Sequence, residues 1–227
     1  MLKKLTAVVM AALFFLTGFA QDGKPDFKQI EKEISDKKSP YFYSALMKRY
    51  SNNDTLLTND EYRHLYYGYS FQDSYSAYGK PSVNDELKKA IQNKETDKII
   101  ELEKKALKEY PFNLRNLYRL VNILEDKGDS VQALLYNKKL VGVAKAIMST
   151  GNGASDSTAM YVINVEHEYD LIFLLGYEFD GNQALLQVKD GPTDKMKLKK
   201  NEDDLEYMYF NVTTLFKSMS KMFEKKN

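Results

Sequence analysis

GNGASDSTAMYVINVEHEYDLIFLLG (Gly151–Gly176) is where the chain changes its pattern. Upstream, apolar residues recur at three- and four-residue spacing; downstream, short alternating runs are separated by Asp, Gly and Asn. Gly151-Asn152-Gly153 reads as helix termination and a tight turn. Met160–Val165 (MYVINV) is β-branched and apolar, which predicts a strand. Glu166–Leu175 fits two periods. Alternation would continue the strand, while Tyr169, Ile172 and Phe173 fit a helical turn that Gly176 would close, and the short helix is favoured. A run of helices followed by a run of strands predicts an α+β fold.

Working back from the switch, helices are expected at about Val83–Asn93, Asp97–Tyr110, Leu114–Lys127 and Ser130–Thr150. Asp26 can cap a short helix carrying Phe27, Ile30, Glu33 and Ile34, and Ser39-Pro40 has the form of a second helix start. Thr58 and Glu61 have the spacing of a capping box, which opens a tyrosine-rich helix. Tyr62, Leu65, Tyr66 and Tyr69 form its expected core stripe; Arg63 and Tyr67 share a second face, expected at the rim, with His64 between the two. Working forward, strands are expected at Ala184–Val188, Lys195–Lys199 and Glu206–Val212, with turns at Asp180-Gly181-Asn182, Asp190-Gly191-Pro192 and Asn201–Asp204. Thr213 or Thr214 caps a closing helix.

The N-terminus has the pattern of a secretory signal: Lys3 and Lys4, the apolar run Leu5–Leu16, and Gly18-Phe19-Ala20 as a small-x-small cleavage site. The mature chain is therefore expected to start at Gln21 and to be periplasmic or extracellular. The apolar run is shorter than the roughly 20 residues a spanning helix needs, and nothing later is apolar enough to span. There is no cysteine, hence no disulfide, thiolate metal site or cysteine nucleophile. Without Lys3 and Lys4, 31 basic residues face 32 acidic ones, a balance that gives no electrostatic case for nucleic acid.

Residues 106–133 resemble a tetratricopeptide-repeat helix pair, in which small residues mark helix contacts and a proline closes each repeat. With Pro111 as the closing proline, Ala106 and Ala133 take the small positions, Leu117, Leu120 and Leu124 the buried side, and Gly128 the turn. Asn137 stands where that pattern places a large residue. The whole mature chain resembles a family of exported bacterial proteins catalogued as domain of unknown function 4919. The resemblance rests on SPYFYSALMKRY (39–50), NDEYRHLYYGYSFQDSYSAYG (59–79), the YPFN and KGD turns, GNGASDSTAMYVINVEHEY (151–169) and YMYFNV (207–212). It implies a shared fold and export, and no reaction. The resulting division is 1–20 signal peptide, 21–152 helical, tetratricopeptide-like region, and 153–227 a small antiparallel sheet with one or two helices.

Reactive constellations are sparse. His64 lacks a visible catalytic partner. In a strand His167 faces away from Glu166, Glu168 and Asp170, and in a helix away from the Glu166–Asp170 pair, so neither geometry makes a zinc set and no metal or other cofactor is expected. Ser155, Ser157 and Thr158 lie outside any G-x-S-x-G context. Arginine stands out: there are 4 against 29 lysines, and Arg115, Arg119 and Asn122 fall at i, i+4 and i+7. Arginine's planar fork suits carboxylates. The alternative is a solvated face paired to Glu109 or Asp126. On the groove reading, reversing Arg115 and Arg119 to Glu is expected to abolish partner capture and leave the fold intact.

The expected function is therefore a non-enzymatic binding or scaffold protein that uses a helical groove for a protein or acidic peptide. Candidate ligand-binding residues are Arg63, His64, Tyr67, Arg115, Arg119 and Asn122. One alternative is binding of a glycan or cell-wall fragment through the tyrosine-rich helix. A second is a hydrolase using scattered carboxylates, which spacing alone cannot identify.

Overall fold

The computed structural model describes residues 23–224, with side chains to residue 220; the predicted signal peptide and its cleavage point lie outside the described residues. Helix α1 (Phe27–Ser35) starts where Asp26 accepts the Gln29 N–H at 3.0 Å, and it buries Ile30 and Ile34. Helix α2 (Tyr43–Ser51) begins later than Ser39-Pro40 predicts. The Ser39 hydroxyl accepts from Tyr41 N at 3.0 Å, and Phe42 N bonds Ser39 O, so those residues close a turn ahead of the helix. Helix α3 (Asn59–Tyr69) has the expected capping box: Glu61 N donates to Thr58 Oγ1 at 3.2 Å and Thr58 N to Glu61 Oε2 at 2.7 Å.

Helices α4 (Asn84–Gln92), α5 (Thr96–Glu109), α6 (Leu114–Asp126) and α7 (Ser130–Met148) follow, each packed on the next. Gly128 lies at φ 80°, and Asp129 N reaches back to Leu124 O at 2.9 Å, which satisfies a carbonyl left open at the end of α6. Helix α7 also packs on α3. A Cβ at Gly142 would lie 2.3 Å from the Tyr62 ring, so only glycine admits this approach.

The sheet has the order β1-β4-β3-β2, with β1 (Met160–Tyr161) parallel to β4 (Tyr207–Asn211) and the hairpin β2 (Phe179–Val188)/β3 (Gly191–Leu198) antiparallel. β1 is shorter than its composition predicts because other groups take the following N–H groups. Ile163 N donates to the Tyr66 hydroxyl at 3.2 Å, and Val165 N to Ala77 O. Asp180-Gly181-Asn182 is not the predicted turn. It lies within β2, where the Asp180 carboxylate accepts from Asn182 N, Gly181 sits at φ 101° and the pairing slips between Phe179 and Gln183. The hairpin turns at Lys189-Asp190, one residue ahead of the expected Asp190-Gly191-Pro192 turn, and Pro192 joins the ladder opposite Gln187. Glu166–Leu174 is helical (α8), closed by Gly176 at φ 86°, and α9 (Thr213–Glu224) ends the described chain. The fold is α+β.

One buried cluster runs from Ile30 of α1 through Leu65, Tyr66 and Val143 to Met160, Phe210 and Leu215. A smaller one joins Val83, Leu87 and Ala90 to Ile99, Leu102 and Ala106. The expected stripe of α3 is buried, but so is Tyr67, at 0% exposure. That corrects its placement at the rim. Phe27 of α1 closes over it, ring to ring at 5.8 Å and edge-on, while the Tyr67 hydroxyl donates to Tyr161 O at 3.0 Å. Other tyrosines likewise end on distant carbonyls: Tyr50 on Pro111, Tyr69 on Glu109, Tyr75 on Ile163.

Candidate functional site

Asn113 organises a polar site by facing two ways. Its Oδ1 caps α6 by accepting Asn116 N at 2.9 Å, and its Nδ2 donates to Glu166 Oε2 of α8 at 3.0 Å. One turn further along α8, Asp170 accepts Arg115 Nε at 2.8 Å and Arg115 backbone N at 3.2 Å. Its carboxylate therefore meets both the guanidinium and the positive end of the α6 dipole. Burial nonetheless pushes the Asp170 carboxyl up, against the pull of Arg115. The guanidinium lies over the Phe173 ring, 4.5 Å from its centre. Arg119, one turn on, binds Glu103 of α5 through Nη1; Glu103 is 0% exposed, and burial lifts its carboxyl to about 7 despite the arginine.

Asn113, Arg115, Arg119, Glu166 and Asp170 line a groove of about 290 Å³ between α4, α6 and α8, whose far wall is Leu87 and Ile91 of α4. Among the described residues no hydrogen bond engages Nη1 or Nη2 of Arg115, or Nε or Nη2 of Arg119. The arginine side chains are 39% and 32% exposed. Each fork is thus anchored by one nitrogen and open at the others.

The sequence-predicted site residues separate into three places. Arg115 and Arg119 share the groove. Asn122 turns back on its own helix, donating to Tyr118 O at 2.7 Å, and does not line it. Arg63 donates to Ser149 Oγ and to Gly23 O, both at 2.7 Å, fastening the chain ahead of α1. His64 stacks on Tyr41 at 3.7 Å with both nitrogens on oxygens, Asp60 O and Glu33 Oε2, a packed contact well away from the groove. Tyr67 is interior. With Tyr62, Tyr66 and Tyr69 also buried, α3 offers no tyrosine platform at the surface for a glycan.

The arginines' partners also correct the expectation, being Glu103 and Asp170 rather than Glu109 or Asp126. Charge reversal at Arg119 would therefore strike a buried acid. Glu103 left a trace in the sequence, as an acid on the apolar stripe Ile99, Leu102, Glu103, Ala106, all buried. The partner at Asp170 left none, lying 55 residues from Arg115.

His167 is held neutral, its basicity lowered to about 3 by burial; Tyr66 hydroxyl meets its Nδ1 at 2.8 Å. Glu168 is also fully buried, and burial together with the nearby Asp194 pushes its carboxyl well above the usual range. Gln183 Nε2 donates to Asp194 Oδ2 at 3.0 Å. Neither His167 nor Glu168 lines the groove.

Among the described residues no helix is long and apolar enough to cross a membrane, and no cluster of three or more His, Asp or Glu could hold a metal ion. No curated protein and no solved structure matches the chain. The tetratricopeptide likeness of residues 106–133 is not confirmed by these comparisons. A family model does match, over residues 28–221, and the chain accordingly belongs to the family described as Domain of unknown function (DUF4919).

Proposed function

We propose that the protein is an exported, non-enzymatic binding protein whose groove on α6 takes a protein or peptide by a carboxylate, as at a free C-terminus. The observation that carries this reading is the pair of anchored but open forks on Arg115 and Arg119. A guanidinium already fixed by Asp170 or Glu103 loses little further freedom when it closes on a ligand, and preorganisation of this kind strengthens binding. Forked hydrogen bonds to a carboxylate are charge-assisted and directional. At about 290 Å³ the groove lies near the lower end of the range for ligand pockets, which suits the end of a chain better than a long segment. Residues 1–20 supply the basis for export.

A degenerate tripeptide pool with free C-termini tests the reading against the same pool as C-terminal amides. The acid pool should be retained by immobilised protein and the amide pool should not. Retention should weaken as salt rises, because screening acts over about 10 Å at 0.1 M. Arg115→Lys keeps a cation for Asp170 but removes the fork, and should cut retention of the acid pool while leaving the melting temperature nearly unchanged. Equal retention of acid and amide pools would overturn the proposal.

A further inference from the structure

The groove also holds a carboxylate oxygen that the fold leaves unused. Asp170 has both oxygens engaged on Arg115, and Glu103 is interior. Glu166 differs from both. Its Oε2 accepts from Asn113, its Oε1 has no hydrogen bond among the described residues, and the side chain is half-buried in the groove wall. The other anions near the forks being occupied, Glu166 is the acceptor a ligand meets. A ligand carrying only negative charge would be attracted by Arg115 and repelled by Glu166 in the same small space.

We infer that the ligand is a zwitterion of dipeptide size, with its carboxylate on the open forks of Arg115 and Arg119 and its ammonium on Glu166 Oε1. This rests on the carboxylate reading above and adds to it the second charge and the length. The length comes from α8. Glu166 and Asp170, which anchors Arg115, are four residues apart, about 6 Å of helical rise. A dipeptide spans at most about 7 Å, a length on the scale of that rise, whereas the C-terminus of a long chain brings no ammonium to Glu166 unless a side chain supplies it. Leu87 and Ile91, on the opposite wall, give the ligand's side chains an apolar surface. Asn113 fixes the Glu166 carboxylate, so this acceptor is set in place before the ligand arrives, as the forks are.

The test uses the protein from Gln21 onward and three probes in calorimetric titration: alanyl-alanine, N-acetyl-alanyl-alanine and alanyl-alaninamide. Alanyl-alanine should bind most tightly. Acetylation should weaken it about tenfold or more, the scale of a lost hydrogen bond to a charged group. Glu166→Gln keeps an oxygen to accept from Asn113, so the fold should be retained. In that variant the free and acetylated dipeptides should bind equally weakly. Three results would overturn the inference: the acetylated probe matching the free dipeptide on the unaltered protein, Glu166→Gln leaving the preference for the free amine intact, or no probe binding at about 1 mM. If the acetylated probe matches the free dipeptide but the amide still binds poorly, only the ammonium site fails and the carboxylate reading stands. If the amide binds as well as the acid, the carboxylate reading fails with it.

Discussion

Tyr66→Ala and Tyr67→Ala should each cost about 3–5 kcal/mol of folding stability, the range for a large aromatic cut to alanine in a core. Both rings are at 0% exposure and meet each other edge-on at 4.9 Å. From the helix alone Tyr67 belongs to the Arg63 face and would be expected to tolerate the change. In the fold it is enclosed by Phe27 and Tyr66, and its hydroxyl serves the Tyr161 carbonyl. Tyr66→Phe isolates the polar part of its neighbour's role. That hydroxyl accepts from Ile163 N and meets His167 Nδ1, so its removal leaves buried groups unpartnered, at about 1–3 kcal/mol. Urea denaturation of the three variants decides the matter. A Tyr67→Ala midpoint close to that of the unaltered protein would show that α1 does not cover this face.

The second large effect is at Arg119. Replacing it with Met leaves Glu103 in the interior without its guanidinium partner, a change of roughly 3–5 kcal/mol by analogy with broken buried pairs. Glu103→Leu in the same protein should restore most of the loss, since an apolar pair of similar volume often replaces a buried ion pair without cost. The sign of the pH dependence follows from the raised Glu103 carboxyl, about 7 in the fold against 4.5 for an ordinary glutamate. Its contribution is fully present below 4.5 and is lost as pH rises through 7. Arg119→Met raises the folded value further, so the variant should be much weaker than the unaltered protein at pH 8 and approach it at pH 5. Melting curves showing an equal deficit at both pH values would refute this account.

What the sequence disclosed follows the range of the interactions involved. Caps act over three residues, so Thr58–Glu61 and Asp26–Gln29 were legible, as was the helix closed by Gly176. The short length of β1 was not, since the composition of Met160–Val165 suits a longer strand but Ile163 N and Val165 N are claimed by Tyr66 and Ala77, far upstream in the chain. The turn chemistry of Asp180-Gly181-Asn182 suits a bulge as well as a hairpin turn, and only the pairing of β2 with β3 decides between them. At the site, the two groove arginines could be picked out by scarcity and spacing. Asp170, Glu166 and Asn113 could not, because only the docking of α8 on the start of α6 brings them together.

The buried tyrosines also determine how the protein should meet alkali. The chain has 17 tyrosines and no tryptophan, so phenolate absorbance reports on them without a competing indole. Burial holds Tyr62 and Tyr161 up to about 12, and Tyr50, Tyr66 and Tyr67 higher still. In an unfolded chain the same phenols ionise near 10. Between those values only the unfolded form gains charge, so the native state loses stability with each added increment of base. An optical titration should therefore show the exposed phenols ionising first and gradually. The interior ones should follow in one abrupt step, in which the rise in phenolate and the loss of helix share a midpoint.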